Sequence, residues 1–359
     1  SQATGRKGLT AESILRCALL KQHRQLSYEE LAFCLLDSVS CRTFARLGGG
    51  WVPKKRVLQA SISSITGVTW EQVHLHILPS ARERKVETGR MQRIDSTVTE
   101  TSLHPPGGSQ LMRDGVRVMV RLLESAHTLC PPAVPLAWRG HLRRAGKRAR
   151  RIVHTRGQEQ KARLYRDLIQ VTRNSLGYLK QAELTLSAVD VLNQSRYLRW
   201  QAEVDHYTPL LLKVTDQTER RVSKGEKVPA EEKVFSLFEA HTGIIIKRAR
   251  DIQYGHKINL SSGRGGLILD GVIESGNPAG SERLIPMLER PIEHYGKAPR
   301  QVAADGGYAS TGNLDQAKAL SVQDTACHKK PGLKIEDMAK SPWVYRKLRN
   351  FRAGIEACI

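Results

Sequence analysis

Apolar positions in residues 9 to 80 recur at spacings of three and four between frequent capping residues, a pattern that predicts a string of short helices. Thr10 is placed to cap a first helix with the face Ile14, Leu15, Ala18 and Leu19. Ser27 and Glu30 form a capping box ahead of Leu31, Phe33, Leu35 and Leu36. Ser40 opens a third helix through Phe44 and Leu47, which the run Gly48-Gly49-Gly50 stops. A fourth follows Pro53 with Leu58, Ile62 and Ile65, and Thr69 caps a fifth through Val73 and Ile77. Such a set of helices suits either a helix-turn-helix DNA reader or any small helical bundle.

A basic connector over residues 81–93 precedes the first alternating stretch. Ile94, Ser96 and Val98 face one way and Asp95, Thr97 and Thr99 the other, as in a strand. Helical spacing returns after Pro105-Pro106-Gly107-Gly108, with Ser109 as a cap for Leu111, Val116, Val120 and Leu123. Leu164, Leu168, Val171, Tyr178, Ala182, Leu186 and Val189 predict a long amphipathic helix, and the helical region ends near Ser223–Pro229. Short apolar runs at 234–238, 243–247, 257–260 and 267–273 read as antiparallel hairpins. Helix 281–294, strand 301–305, helix 310–319 and strand 322–327 then alternate, which implies parallel crossovers. Ser341 and Pro342 open a closing helix with the stripe Val344, Leu348, Phe351 and Ile355. The expected fold is α/β, a mixed sheet flanked by helices. The expected divisions are a helical N-terminal domain (1–80), a linker with the first part of the sheet domain (81–131), a basic helical insertion (132–232) and the rest of the sheet domain (233–359).

Charge narrows the partner. With 57 Lys and Arg against 35 Asp and Glu, the net charge of the 359-residue chain is +22. An excess of this size favours a polyanion, because neutralised phosphates release counterions. The excess is concentrated between Trp138 and Arg166, where Arg143, Arg144, Lys147, Arg148 and Arg151 stand among eleven cations with one acid, Glu159. A solvated helix face is one reading of such a run. Mutual repulsion is relieved better by a phosphate backbone, and the scarcity of aromatics there favours a duplex over stacked single strands. The six cysteines are scattered without a C-x-x-C pair, so they read as reduced, mostly buried small hydrophobes of a cytosolic chain. No stretch approaches the length of a membrane span or a signal peptide, so no membrane partner and a cytoplasmic location are expected.

Three acids carry the candidate chemistry. Asp95 lies in the first strand. Asp305 ends its own strand, where open α/β sheets place ligands, and Gly306 and Gly307 leave room for close backbone approach. Glu356 shares a helix face with Tyr345, Arg349 and Arg352. The alternative for Glu356 is an i,i+4 surface pair with Arg352, worth a few tenths of a kcal/mol. Carboxylates are the ligands that Mg²⁺ or Mn²⁺ prefers, and two such ions can activate a water or 3′-hydroxyl and stabilise the leaving oxygen in phosphodiester chemistry. Lys329, Lys330, Arg349 and Arg352 are candidate phosphate contacts beside the acids, with solvated lysines as the alternative for the first two. The chain has no P-loop, H-E-x-x-H or G-x-S-x-G run, and Gly263-Arg-Gly265-Gly266 opens a strand rather than the helix a dinucleotide site needs. His74 and His76, two apart, fall on different helical faces.

The motifs Arg93-Ile-Asp95-Ser-Thr, Ala304-Asp305-Gly-Gly-Tyr308 and Arg352-Ala-Gly-Ile-Glu356 resemble those of DDE transposases of bacterial insertion sequences, in the group with a helical N-terminal domain and an RNase H-like catalytic domain. Gln25-Leu-Ser-Tyr-Glu-Glu-Leu31 and Tyr254-Gly-His-Lys-Ile-Asn259 support the likeness, which spans nearly the whole chain. The resemblance implies an RNase H-like sheet and Asp95, Asp305 and Glu356 as a triad holding two Mg²⁺ or Mn²⁺ ions. It implies double-stranded DNA, both transposon ends and target, as partner, with end-specific recognition by the N-terminal region and strand cleavage and transfer. It also implies a homodimer on DNA, in a bacterial, nucleoid-associated setting. Tyr345, Arg349 and Arg352 do not follow the family spacing closely, and a lysine expected one or two turns after Glu356 would lie beyond Ile359. The chain is therefore expected to be truncated and weak or inactive, the alternative function being a remnant that only binds DNA.

Overall fold

A computed structural model describes residues 8–48, 51–101, 107–248, 251–328 and 332–358. The chain divides into two compact units, Ser1–Thr88 and Gly89–Ile359. Lys329 and Lys330 lie outside the described residues.

The first unit contains α1 (Ala11–His23), α2 (Tyr28–Asp37), α3 (Val39–Phe44), α4 (Lys55–Ser63) and α5 (Gly67–Glu83). Thr10 caps α1 and the Ser27–Glu30 capping box opens α2, as their spacing predicts. Two caps fall elsewhere. Ser38 rather than Ser40 receives the first-turn amide of α3, that of Cys41. Thr66 rather than Thr69 caps α5, accepting from the Thr69 amide, and α5 runs on through Glu83 into the expected connector. In each case a Ser or Thr lies three residues ahead of the amide it satisfies, the spacing that a cap needs. The core is built from Cys17, Leu20, Leu31, Leu35, Cys41, Ala45 and Leu58. The buried face of α1 is thus Cys17, Ala18 and Leu20, with Leu19 exposed.

The second unit begins with β1 (Met91–Glu100) and continues into α6 (Gly108–Leu129), α7 (Leu142–His154), α8 (Gln158–Ser187) and α9 (Gln194–Ser223). These four helices share one apolar cluster, in which Met112, Met119, Leu123, Leu168 and Ala182 are fully or almost fully buried. Trp200 anchors α9 to α6 by donating its indole N–H to the Leu122 carbonyl at 2.8 Å. The apolar run at 234–238 forms no strand. Val234 and Leu237 join the helical cluster instead, and Gln217 holds Val234 in place through both its amide and its carbonyl. Apolar side chains alone cannot tell a strand from a segment laid over a helical core.

The remaining elements are β2 (Gly243–Arg248), β3 (Asp251–Gly263), β4 (Ile268–Ile273), α10 (Pro286–Tyr295), β5 (Gln301–Ala304), α11 (Thr311–Ala319), β6 (Asp324–Cys327), α12 (Ile335–Met338) and α13 (Pro342–Ala353). They complete a six-stranded mixed sheet of order β2-β3-β1-β5-β6, with β4 also paired to β3. The long β3 pairs antiparallel with β1 along one edge and takes β2 and β4 in succession on the other. β5 runs parallel to both β1 and β6. The β3–β1 approach depends on Gly255, where a Cβ would stand 2.0 Å from the Thr99 carbonyl oxygen. Helices flank this sheet over a second core that includes Ile94, Met287, Leu288, Val302, Leu314 and Leu348. Among the described residues no helix is long and apolar enough to cross a membrane.

Candidate active site

The parallel register pairs Ile94 of β1 with Ala304 of β5, the last residue of that strand. The next residues, Asp95 in the middle of β1 and Asp305 directly after β5, therefore lie side by side where β5 ends and β1 runs on to Glu100. β1 is flanked by β3 and β5 in the middle of the sheet, so Asp95 is largely enclosed, its side chain 14% exposed against 49% for Asp305. Burial pushes the Asp95 carboxyl above the ordinary carboxylate range, and the Asp305 charge adds to it, against the Ser96 amide and Arg352.

Arg352, near the end of α13, supplies the neighbouring cation. Its Nη2 bonds Asp95 Oδ2 and stands 3.9 Å from Asp305 Oδ1. Arg93, two residues before Asp95 and so on the same strand face, fixes that end of α13 to the sheet. It donates from Nε to Ser262 Oγ at 2.7 Å and from Nη1 to the Phe351 carbonyl at 3.2 Å, and its guanidinium lies over the Phe351 ring. Gly354 permits this contact, since a Cβ there would collide with the Arg93 guanidinium.

Glu356 is placed differently from the expectation. The α-helix ends at Ala353, and residues Gly354–Cys358 form a tighter 3-10 turn on which Glu356 is exposed. A glycine following Ala353 weakens helical continuation at that point. Arg352 turns toward the two aspartates, and the surface pair with Glu356 is not formed. Tyr345 leaves the expected face as well. It is buried, and its hydroxyl donates to the Cys327 carbonyl at 2.9 Å. Arg349 is exposed one turn before Arg352.

Behind the two aspartates runs a buried polar chain. The Tyr308 hydroxyl donates to Asn259 Oδ1 at 2.5 Å, Asn259 Nδ2 donates to Glu274 Oε1 at 2.6 Å, and Arg283 pairs with Glu274 at 2.8 Å. Burial pushes the Tyr308 phenol far above its ordinary value, with the charge of Asp95 adding to the shift, so it remains a neutral donor. Tyr308 and Asn259 each lie within a quoted motif, but Glu274 and Arg283 carry no sequence signal, because their partners come from other strands and turns.

The donor set suits one hard divalent cation. Mg²⁺ is commonly held by one or two carboxylates together with water and substrate phosphate, so Asp95 and Asp305 could hold one, and in this structure Arg352 supplies the positive charge beside them. A three-acid set is not assembled: among the described residues no group of three or more His, Cys, Asp and Glu side chains is gathered to hold a metal.

The cations of α7 fall into two groups, apart from Arg150, which is exposed and donates to the Gly146 carbonyl of its own helix. Ala145, Ala149 and Ile152 face the core. Arg144 and Arg148 both bind Asp167 of α8, while Arg143, Lys147 and Arg151 are exposed and form no ion pair among the described residues. Burial opposes ionisation of Asp167, but the two guanidiniums outweigh it and hold the carboxyl below its ordinary range. A separate cavity of about 440 Å³, lined by Arg221, Lys233, Phe235 and Tyr254 among others, contains none of the three acids.

Comparison of the chain with protein-family models, curated proteins and solved structures gave no match.

Proposed function

We propose that this chain is a DDE-type transposase of a bacterial insertion sequence, acting on double-stranded DNA through an RNase H-like sheet. The observation that carries this reading is the placement of Asp95 and Asp305 side by side at adjacent parallel strands, with Arg352 on both. Asp95 and Asp305 would hold a Mg²⁺ or Mn²⁺ ion, which when bound supplies Lewis-acid stabilisation of a phosphodiester under attack. The chain's own contribution is positional. Tyr308, Asn259 and Glu274 form a buried hydrogen-bonded chain, and Arg93 ties the end of α13 to β1. The Arg352 guanidinium beside both aspartates would suit a phosphate oxygen, a partner that its planar fork matches. Exposed Arg349 adds charge beside it, and Arg143, Lys147 and Arg151 grip the duplex backbone elsewhere in the same unit.

Asp95→Asn and Asp305→Asn test this reading. Each is expected to abolish the Mn²⁺-dependent nicking, weak as it is expected to be, that the unsubstituted chain shows on duplex DNA carrying the element's terminal repeats, while leaving DNA retention within about twofold, since neither aspartate contributes the phosphate contacts that dominate affinity. Nicking that survives both substitutions sinks the enzyme reading. A second reading, a protein that binds transposon ends without cutting them, is favoured by the exposed position of Glu356 on its 3-10 turn. It wins if the unsubstituted chain retains end-repeat DNA and never nicks it with Mg²⁺ or Mn²⁺.

A further inference from the structure

The first helical unit brings two cysteines together across the junction of α2 and α3. Cys34 lies in α2 and Cys41 in α3, and their sulfurs stand 3.2 Å apart. Ser38 ends the first helix and caps the second, accepting the Cys41 amide, so one short turn fixes both thiols. Cys34 is half-buried. Cys41 has little exposure of its own, yet it lines a cavity of about 550 Å³ together with Leu19, Leu20, His23, Arg24, Ser40 and Phe44. A small reactant therefore has a path to Cys41, and Cys34 is the group next to it.

The geometry points to Cys34 and Cys41 as a redox-active dithiol, which a low-molecular-weight disulfide oxidises to an intramolecular disulfide. Cys41 attacks first: its thiolate forms a bond to one sulfur of the small disulfide and expels the other as a thiolate. The Cys34 thiol then loses its proton and attacks Cys41 Sγ, forming the protein disulfide and expelling the second small thiolate. Both leaving thiolates take up protons, so two protein thiols are oxidised and one small disulfide is reduced to two thiols.

The electrostatics agree with this order. Hydrogen bonds from Ser38 and Cys34 hold the Cys41 thiol below its ordinary value, and the nearby Arg24 charge acts in the same direction. Burial and the adjoining Cys41 push Cys34 up. The better thiolate therefore lies on the cavity, and the resolving thiol beside it. Cys17 provides the contrast within the same core. It is fully buried, and burial pushes its thiol up to about 11. The inference is independent of what the chain does to DNA.

The test uses the intact chain incubated with oxidised glutathione, followed by alkylation and tryptic mapping. The peptide spanning 25–42 contains both cysteines. It is expected to lose two hydrogen masses and both alkylatable thiols before Cys17 reacts, and to regain them with dithiothreitol. Cys34→Ser is expected to trap a glutathione adduct on Cys41, whereas Cys41→Ser leaves Cys34 at least tenfold slower to react. Unsubstituted protein whose two thiols stay fully alkylatable overturns the proposal, and so does oxidation that joins either cysteine to a different partner. An adduct that forms on Cys34 in Cys41→Ser but never on Cys41 in Cys34→Ser overturns the order of attack.

Discussion

Asp95 is held ionisable in a place that disfavours its charge. Its raised carboxyl value means that the folded chain binds this proton more tightly than the unfolded chain does. Stability from this group therefore falls as pH rises from the ordinary aspartate range through the raised folded value, and is level above it. Asp95→Asn should remove that cost, raising the thermal midpoint at pH 7 but not below the window, as scanning calorimetry at two pH values would show. An unchanged or lower midpoint at pH 7 would mean that the bond to Arg352 outweighs burial. Gly255 is the other residue whose chemistry leaves little freedom. Gly255→Ala sets a methyl against the Thr99 carbonyl and should cost about 3 kcal/mol in urea denaturation, the upper range for overpacking. Within a motif, the sequence marked Asp95, Asp305, Tyr308 and Arg352. It had no way to show that Arg352 would choose the aspartates over Glu356, since an i,i+4 spacing describes one helix and not what lies across from it.

The eleven-cation stretch over residues 138–166 looked uniform as sequence, but on α7 it divides by direction. Arg144 and Arg148 are committed to Asp167, and Arg143, Lys147 and Arg151 are not. Replacing the latter three with glutamine should lower the salt-dependence slope of duplex binding by about 2.7 if each contacts one phosphate, measured by titration at several salt concentrations. Arg148→Gln should leave the slope nearly unchanged and instead destabilise the fold by about 1.5 kcal/mol, the range for a hydrogen bond between charged groups. The same pair sets a pH dependence: stability from the depressed Asp167 carboxyl is present at neutral pH and is lost as pH falls through its folded value. Caps were legible at this scale at Thr10, Ser27 and Ser341, but not at Ser109, which lies buried inside α6 behind Gly107 at the cap position. Where two candidates competed, at Ser38 and Ser40 or Thr66 and Thr69, local spacing alone did not choose between them.

Across the molecule, long-range strand pairing is what makes the candidate site. Leu168, fully buried in the cluster shared by α6, α7, α8 and α9, should cost about 3 kcal/mol on replacement by alanine, read by denaturant midpoint. The sequence by itself determined the helices, through apolar spacing and caps, and the strands around Asp95 and Asp305, through alternation and alternating strand–helix order. It also determined the excess of positive charge. These are local properties, set by side-chain period and composition. Only the tertiary structure decided that β1 lies between β3 and β5, that Asp95 and Asp305 meet under Arg352 while Glu356 stands apart, that Val234 and Leu237 cover a helical core, and that Cys34 touches Cys41. Each of these depends on strand register or on the rotation of one helix against another, which packing fixes and no local pattern encodes.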